Sequence, residues 1–139
     1  MYVVINGGGK IAQALALNLL DDGHDIAIIE RHTDTAEKIL MATDNQALVI
    51  VGDGTDKKYQ DDAGSSRADV FVATTGTDED NLISCQLARV VFEVPRLISR
   101  VSDPSNQSIF AQFGIEAICS TLIISRMISE EVSLRELLA

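Results

Sequence analysis

The chain has 139 residues, a formal net charge of −10 at pH 7 and a hydrophobic content of 46%. This length fits one domain, and the apolar content predicts a packed core, which excludes an intrinsically disordered chain. So acidic a surface repels phosphate backbones and anionic headgroups, and we therefore expect no nucleic-acid partner. No apolar run reaches the ~18 residues of a membrane span, so we expect no direct membrane insertion.

The first half of the chain alternates short apolar runs with helical patterns. Strands are predicted at Tyr2–Asn6, Ile26–Glu30 and Ala47–Val51. Helices are predicted from Lys10 to Asp22, from Thr33 or Asp34 to near Ala42, and, on a weaker pattern, from about Asp56 to Ala63. This β-α-β-α-β order matches one mononucleotide-binding half.

The second half continues the alternation. Strands are predicted at Val70–Ala73, Leu97–Arg100 and Glu116–Cys119, and helices from Asp78 to about Phe92, from Asp103-Pro104 to before Gly114, and from Leu122 to Leu138. The alternation predicts an α/β fold, a doubly wound, mostly parallel six-stranded sheet with helices on both faces.

A glycine motif joins the first strand to the first helix. It reads Gly7-Gly8-Gly9-Lys10-Ile11-Ala12, a G-x-G-x-x-A pattern. Gly7 permits a tight turn, Gly9 lets a pyrophosphate approach the backbone, and Ala12 lets the helix pack close to the sheet. The N–H groups of the first helical turn then face the phosphates. This context predicts a bound adenine dinucleotide or related nucleotide; the alternative is a glycine turn without a ligand.

An acidic residue ends the second strand. Glu30 lies about 20 residues after the glycine motif, where a carboxylate accepts hydrogen bonds from both ribose hydroxyls. The same carboxylate repels a 2′-phosphate, which favours NAD over NADP. Arg31 works against that preference, because an arginine can accommodate the phosphate. An exposed Glu30 without a ligand is the alternative.

Other strand ends meet the glycine motif, because ligands of such sheets bind at the carboxyl ends of strands. The segments concerned are Gly52-Asp53-Gly54-Thr55-Asp56, Thr74-Thr75-Gly76-Thr77-Asp78 and Arg100-Val101-Ser102-Asp103. Gly54 and Gly76 either let backbone approach a ligand or only form turns. The acids at positions 78 to 80 either gather a cation or complement the dipole of the helix that they begin.

Together the four segments resemble the regulator-of-potassium-conductance (RCK) domain, also called the TrkA N-terminal or KTN domain. The matching residues are Gly7 to Ala12, Gly52 to Asp56, Thr74 to Asn81 and Arg100 to Pro104. The similarity runs from Tyr2 to about Ser120, and four motifs in order are considerably more specific than one. The fold that the resemblance implies is Rossmann-like.

The resemblance implies a regulatory role without a chemical step. Members of the family bind NAD(H), ATP or ADP and gate a potassium channel or transporter. We therefore expect a cytoplasmic domain, held at the inner face of the plasma membrane by a channel or transporter subunit. NAD(H) is the expected ligand, with ATP, ADP or AMP as alternatives, and the expected assembly is a homodimer or a higher homo-oligomer.

Site residues follow from the same resemblance. Gly7, Gly9 and Ala12 would line the pyrophosphate, and Glu30 would hold the ribose. Asp53 and Gly54 would flank the adenine, Thr75 and Gly76 would lie near the phosphates or the second ribose, and Arg100 near the phosphates. The full candidate set is Gly7, Gly8, Gly9, Lys10, Ile11, Ala12, Glu30, Arg31, Gly52, Asp53, Gly54, Thr55, Thr74, Thr75, Gly76, Asp78, Asn81 and Arg100. Two positions depart from the family, which often has arginine at Lys10 and glycine at Ala12; a lysine cannot make a forked phosphate contact.

The chain divides into residues 1–120, the nucleotide-binding domain, and residues 121–139, a C-terminal helix. The helix is apolar around much of its circumference, with Ile123, Ile124, Met127, Ile128, Val132, Leu134, Leu137 and Leu138. Such a helix is buried on more than one side. We expect it to cross to a partner protomer in a homodimer; the alternative is burial against its own sheet.

The rival functions are a small NAD-dependent oxidoreductase and a redox or nucleotide sensor acting on a partner unrelated to potassium. Hydride transfer needs a substrate pocket and an acid or base beside it. His24 is expected at the sheet edge away from the cofactor, and His32 at its adenosine end. No catalytic residue is therefore predicted.

The two cysteines, Cys85 and Cys119, lie far apart in apolar segments. Their separation does not match the spacing of a zinc site, so no metal site is predicted. We expect both to be reduced core thiols of an intracellular protein.

Overall fold

The computed structural model describes residues 1–138, which form six strands and six helices. The strands are β1 Tyr2–Asn6, β2 Asp25–Glu30, β3 Leu48–Val51, β4 Val70–Ala73, β5 Arg96–Val101 and β6 Glu116–Cys119. The helices are α1 Lys10–Asp21, α2 Thr33–Ala42, α3 Lys57–Asp62, α4 Asp78–Val90, α5 Gln107–Gln112 and α6 Ser120–Leu138. Short 3-10 turns occupy Ser65–Arg67 and Pro104–Asn106.

The six strands form one sheet in the order β3-β2-β1-β4-β5-β6, and every pairing is parallel. The order reverses between β1 and β4, which is the topological switch point at which sheets of this kind bind ligands. The predicted doubly wound, Rossmann-like α/β fold is confirmed, and the sheet is parallel throughout.

Two apolar layers cover the sheet because successive side chains of a strand point to opposite faces. On one face, Val3 and Ile5 of β1 pack with Ala12 and Ala16 of α1 and with Ile39 of α2. The other face packs against the later helices, and its members include Val4, Phe71, Leu97, Cys85, Ala88 and Phe110. Helices after β1 and β2 therefore lie on one side of the sheet, and those after β4 and β5 on the other.

The sequence predicted the elements well, but some of their ends differ. The helix expected from Pro104 begins as a 3-10 turn, and the regular α-helix starts only at Gln107. The helix expected to reach Phe92 ends at Val90, and Glu93 then adopts a positive φ of 56°. No glycine follows Val90 to mark the end of α4 in the sequence.

The last helix leaves the domain. α6 starts at Ser120, directly after β6 ends at Cys119, so no loop turns the chain back over the sheet. Among the described residues of α6, none is buried, and Ile124, Met127 and Ile128 are more than half exposed. Burial of this helix against its own sheet, the alternative considered from the sequence, is therefore wrong.

Truncating Phe71 to alanine tests the central role of β4 in the core. Its side chain is fully buried, so Phe71→Ala should lower the free energy of unfolding by about 3–5 kcal/mol in urea denaturation. Phe113→Ala is the matched control, because Phe113 is 48% exposed and should cost about 1 kcal/mol or less. Equal losses in the two variants would contradict this description of the core.

Candidate functional site

A cleft of about 310 Å³ opens at the carboxyl ends of the strands, above the switch point between β1 and β4. It brings together ten of the predicted residues: Gly7, Gly8, Gly9, Glu30, Arg31, Asp53, Thr74, Thr75, Gly76 and Arg100. Four separate loops contribute to it, because the parallel strands all end at this edge. The convergence expected from the sequence is therefore present.

Eight predicted residues do not line the cleft: Lys10, Ile11, Ala12, Gly52, Gly54, Thr55, Asp78 and Asn81. Lys10 is exposed at the start of α1, and Ala12 is fully buried on the side of α1 that packs against the sheet. Ile11 faces a second, apolar cavity. The other five shape or fix the surrounding loops, as described below. Contact of any of the eighteen residues with a nucleotide stays a prediction.

The three glycines of the first turn serve different purposes. Gly7 has a φ of +108°, a conformation that residues with side chains rarely adopt. A Cβ on Gly8 would overlap Ile39 and lie 3.1 Å from Glu30. Gly9 has an ordinary φ of −69°, and a Cβ there would meet nothing within 4 Å. The protein's own packing therefore does not require glycine at position 9, whereas a phosphate lying against the backbone does.

The N-terminus of α1 is open towards the cleft. Gly9 is its N-cap residue, and among residues 1–138 no side chain caps the helix and no acid lies in its first turn. The turn itself is held by two hydrogen bonds. One runs from the Gly7 N–H to the Ile29 carbonyl (2.8 Å), and the other from the side-chain Nε2 of Gln13 to the Gly8 carbonyl (3.0 Å). A fixed backbone with uncapped N–H groups and the positive end of a helix dipole favours an anion.

Glu30 offers an unsatisfied acceptor at one side of this turn. Its side chain is 11% exposed, and its Oε1 lies 3.8 Å from Nδ1 of His32. Oε2 is buried and makes no hydrogen bond to any described residue. Buried polar atoms without partners are rare in native proteins, and one in a cleft points to a ligand that supplies the donor. The hydroxyls of a ribose are donors of this kind.

Arg100 offers an unsatisfied donor at the other side. Its Nε is buried and has no hydrogen-bond partner among residues 1–138. The residue is the last but one of β5, and it lines the cleft together with Thr75 and Gly76. An unpaired acceptor at Glu30, an uncapped helix N-terminus and an unpaired cationic donor at Arg100 match the sugar and the phosphates of a nucleotide, so the residues present fit such a ligand.

Asn81 fixes the loop after β4. It is fully buried in α4, and its Oδ1 accepts hydrogen bonds from the Thr75 N–H (3.0 Å) and hydroxyl (2.6 Å). Its Nδ2 donates to the carbonyls of Thr75 and Arg100, both at 3.0 Å. The amide is fully committed to the protein, so Asn81 positions Thr75 and Arg100.

Asp78 joins the N-terminus of α4 to the loop after β5. Its carboxylate accepts hydrogen bonds from the Ser102 and Asp103 N–H groups at 2.8 and 3.0 Å and from the Asn106 amide at 3.0 Å. Burial alone would raise the pKa of Asp78, but these hydrogen bonds and the nearby charge of Arg100 outweigh it and lower the pKa.

Among residues 1–138, no cluster of three or more acids, histidines or cysteines is arranged to hold a metal ion.

The loop after β3 is shaped by its glycines. A Cβ on Gly52 would overlap the ring of Tyr59, and one on Gly54 would overlap the side chain of Asn6. Thr55 donates its N–H (2.9 Å) and its hydroxyl (2.7 Å) to Oδ1 of Asp53. These contacts direct Oδ2 of Asp53 towards Arg31, 3.2 Å away.

Sequence reasoning missed five residues that line the cleft: Asn6, Ile29, His32, Thr77 and Asp80. All five adjoin a residue of the predicted set in the sequence, and Thr77 and Asp80 lie within the motif from Thr74 to Asn81. What the motif does not reveal is the ion pair that Asp80 makes with Arg31 across 49 positions of the chain, at 3.2 Å. No local pattern marks that pairing.

A second cavity, of about 370 Å³, lies on the α1 side of the sheet. Apolar side chains of α1 and of strands β1, β4, β5 and β6 form it, among them Ile11, Leu15, Val72, Ile98 and Ile118. We call this surface the apolar groove. Thr74 and Arg100 line both the groove and the polar cleft, so the two sites share a wall.

Comparison with known proteins gives one consistent family. A model of the TrkA-N domain matches residues 3–121. A Trk system potassium uptake protein TrkA homolog from Methanothermobacter thermautotrophicus is 46% identical over 120 residues, which are 86% of this chain and 54% of that protein. The chain spans about half the length of the curated relatives that it matches.

Solved structures agree on the fold. The TrkA-N domain of the inner membrane protein ybaL from Escherichia coli has a TM-score of 0.84 at 15% identity and covers 93% of this chain and 94% of that one. The GsuK channel bound to NAD has a TM-score of 0.78 at 20% identity and covers 91% of this chain and 22% of that one. Identities this low bear on the fold alone.

In residues 1–138, no helix combines the length and the apolar character needed to span a bilayer.

The hydrogen bonds of Asp78 predict how stability depends on pH. Because the pKa of the folded state lies below the ordinary value, the ionised carboxylate stabilises the fold at neutral pH. This contribution is lost as the pH falls from about 4 through the lower pKa of the folded state. Asp78→Asn should therefore be less stable than the parent at neutral pH, and the difference should shrink on acidification in urea unfolding. Glu79→Gln, an exposed neighbour in α4, should leave the profile unchanged; a constant deficit in Asp78→Asn would contradict the assignment.

Proposed function

Since the chain belongs to the TrkA-N domain family, we propose that it is the nucleotide-sensing regulatory domain of a potassium channel or transporter. The observation that carries the proposal is the pairing of two unsatisfied buried atoms, Oε2 of Glu30 and Nε of Arg100, across the open N-terminus of α1. The first fits the ribose hydroxyls, the helix fits the pyrophosphate, and the second adds a positive charge for phosphate oxygens.

The ligand that we propose is NAD(H). Solved proteins of this fold have been obtained with NAD, ADP or AMP bound, and Glu30 would serve the adenosine ribose of each. The cleft continues past the glycine turn to the segment 75–77 and to Arg100. ATP, ADP and AMP have no second nucleoside to fill the cleft at the segment 75–77, which favours a dinucleotide over these ligands.

The proposed activity involves no chemical step. His32 lies beside Glu30, at the ribose side of the cleft, and His24 contacts the N-terminal amine of Met1 at 3.1 Å, at the opposite end of β1. Neither imidazole faces the segment 75–77, where a nicotinamide oxidoreductase would need an acid or base. We place the domain in the cytoplasm, attached to a membrane-embedded potassium-transport subunit. Its relatives are named as proteins of the Trk potassium uptake system, which supports this placement.

We also propose that the chain is a homodimer in which residues 121–139 reach the partner protomer. The exposed apolar side chains of α6 need a partner surface, because a helix of this composition is stable only when buried. The apolar groove of a second copy offers such a surface. Both are apolar and uncovered in one protomer, and of the described residues of α6 only Ser120 lines the groove of its own protomer.

Two features would couple nucleotide binding to this interface. Arg100 and Thr74 belong to both the cleft and the groove, so a phosphate that draws Arg100 into the cleft alters the groove wall. In addition, the Ser102 N–H donates a hydrogen bond to Asp78, and the Ser102 carbonyl accepts one from the Thr121 hydroxyl (2.6 Å). Thr121 lies at the start of α6. A nucleotide that binds one dimer geometry more tightly shifts the population towards it, and that shift would act on the pore.

The ribose assignment is tested by Glu30→Gln in calorimetric titration with NAD⁺, NADH, ATP and ADP. The variant should bind NAD⁺ about 10- to 100-fold more weakly, because it loses charge-assisted hydrogen bonds to the sugar. Its stability should not fall, since Oε2 of Glu30 is buried without a hydrogen bond from any described residue and the substitution removes the charge of that carboxylate. Glu37→Gln, an exposed acid of α2, is the control and should bind as the parent does. Unchanged NAD⁺ affinity in Glu30→Gln, or preference of the parent for ATP, would overturn the ligand assignment.

The dimer is tested by placing a charge on α6. Ile128→Asp should give a monomer in light scattering at micromolar concentration, whereas the parent should be a dimer. The fold should survive, because Ile128 is 60% exposed within one protomer. Ser129→Asp introduces the same charge at the neighbouring exposed position, on the face that carries the serines, and should stay dimeric. A monomeric parent, or a dimeric Ile128→Asp, would contradict the proposal.

A further inference from the structure

Arg31 is held between two carboxylates at the rim of the cleft. Its Nη2 lies 3.2 Å from Oδ2 of Asp53 and 3.2 Å from Oδ2 of Asp80. The two acids come from different parts of the fold, since Asp53 follows β3 and Asp80 belongs to the first turn of α4. All three residues line the cleft next to Glu30. Nη2 of the guanidinium beside Glu30 is therefore already engaged by two carboxylates of the protein.

Asp53 is a fixed partner in this arrangement. Its second oxygen, Oδ1, accepts both the N–H and the hydroxyl of Thr55. Burial by itself would raise the pKa of Asp53, but the hydrogen bonds from Thr55 and the charge of Arg31 hold it below its ordinary value. Asp53 is thus ionised throughout the neutral range, and it cannot turn away from Arg31 without breaking its bonds to Thr55.

The balance of charge around the ribose position is negative. Glu30, Asp53 and Asp80 contribute three carboxylates, against the single guanidinium of Arg31. A phosphate on the 2′-oxygen would add about two further negative charges. If Arg31 turned towards that phosphate, Asp53 and Asp80 would lose their counter-ion beside it, and like charges at close range strongly disfavour binding.

We propose that the ion pairs to Asp53 and Asp80 withhold Arg31 from the ligand and make Asp80 a residue that determines specificity. The site then selects dinucleotides with a free 2′-hydroxyl and rejects those that carry a 2′-phosphate. An arginine next to the ribose-binding acid commonly receives this phosphate in the doubly wound fold, but here the two acids prevent that use. The inference rests on the proposed binding of NAD(H) and adds its selectivity.

The test compares NAD⁺ with NADP⁺ by calorimetric titration of the full chain, in the parent and in Asp80→Asn. The parent should bind NADP⁺ at least about 30-fold more weakly than NAD⁺, since Glu30 and the paired Arg31 both act against the phosphate. Asp80→Asn frees one side of Arg31 and removes one negative charge. The ratio of its NADP⁺ affinity to its NAD⁺ affinity should rise about 5- to 10-fold above that of the parent.

Glu79→Gln is the matched control, because it removes the same charge from the same helical turn at an exposed position that makes no ion pair with Arg31. It should leave the ratio of the two affinities unchanged. In Arg31→Ala/Asp80→Asn the gain in NADP⁺ affinity should disappear, because the freed guanidinium is its source. All variants should keep the thermal unfolding midpoint of the parent within a few degrees, since the side chains of Arg31 and Asp80 are 50% and 29% exposed.

The outcomes separate this inference from the proposed function. If the parent chain binds neither dinucleotide, the proposed ligand is refuted, and the proposed selectivity between NAD⁺ and NADP⁺ is refuted as well. A parent that binds NAD⁺ and NADP⁺ equally well, or equal NADP⁺ gains in Asp80→Asn and Glu79→Gln, overturns the role of Asp80 and leaves NAD(H) binding standing. A gain that persists without Arg31 also overturns it, because the effect would then come from net charge alone.

Discussion

The parallel register of the six strands is the constraint on which the candidate site depends. Since every strand runs in the same direction, all strand ends meet at one edge, where the loops after β1, β2, β3 and β4 converge with Arg100 of β5. The reversal of strand order between β1 and β4 opens a crevice at that edge. The first helix begins at this crevice, so its uncapped N–H groups face the space between the loops.

Around this crevice the polar groups divide into two kinds. One kind forms hydrogen bonds to the backbone and side chains of neighbouring loops and so holds the walls of the cleft in place. Its members are Asn81, Asp78 and Thr55. Oε2 of Glu30 and Nε of Arg100 are left without protein partners. Such a division is what a preorganised binding site requires, because the groups that meet the ligand are held in place by others that do not.

The cleft and the apolar groove are adjacent but chemically opposite. One is polar and faces the strand ends, and the other is apolar and lies beside α1. Arg100 separates them, and Asn81 and Asp78 anchor the two segments that flank it. A change at Arg100 therefore reaches both surfaces. This shared wall is a short physical connection between nucleotide occupancy and the surface to which a second protomer's helix would bind.

The sequence by itself determined the elements, the parallel sheet, the glycine turn and the acid at the end of β2, because each leaves a local signal: an apolar period, a motif or a residue at a set distance. It also predicted the apolar C-terminal helix, whose described residues are not buried in one protomer, whereas its burial against a partner protomer stays a prediction. Tertiary structure alone decided how the polar side chains are used. Asp78 and Asn81, whose contact with a ligand stays a prediction, hold segments that lie 19 to 28 positions away. Asp80 enters the cleft only because folding brings α4 beside Arg31, 49 positions earlier. Such pairings depend on contacts between distant segments, and a linear pattern carries no record of them.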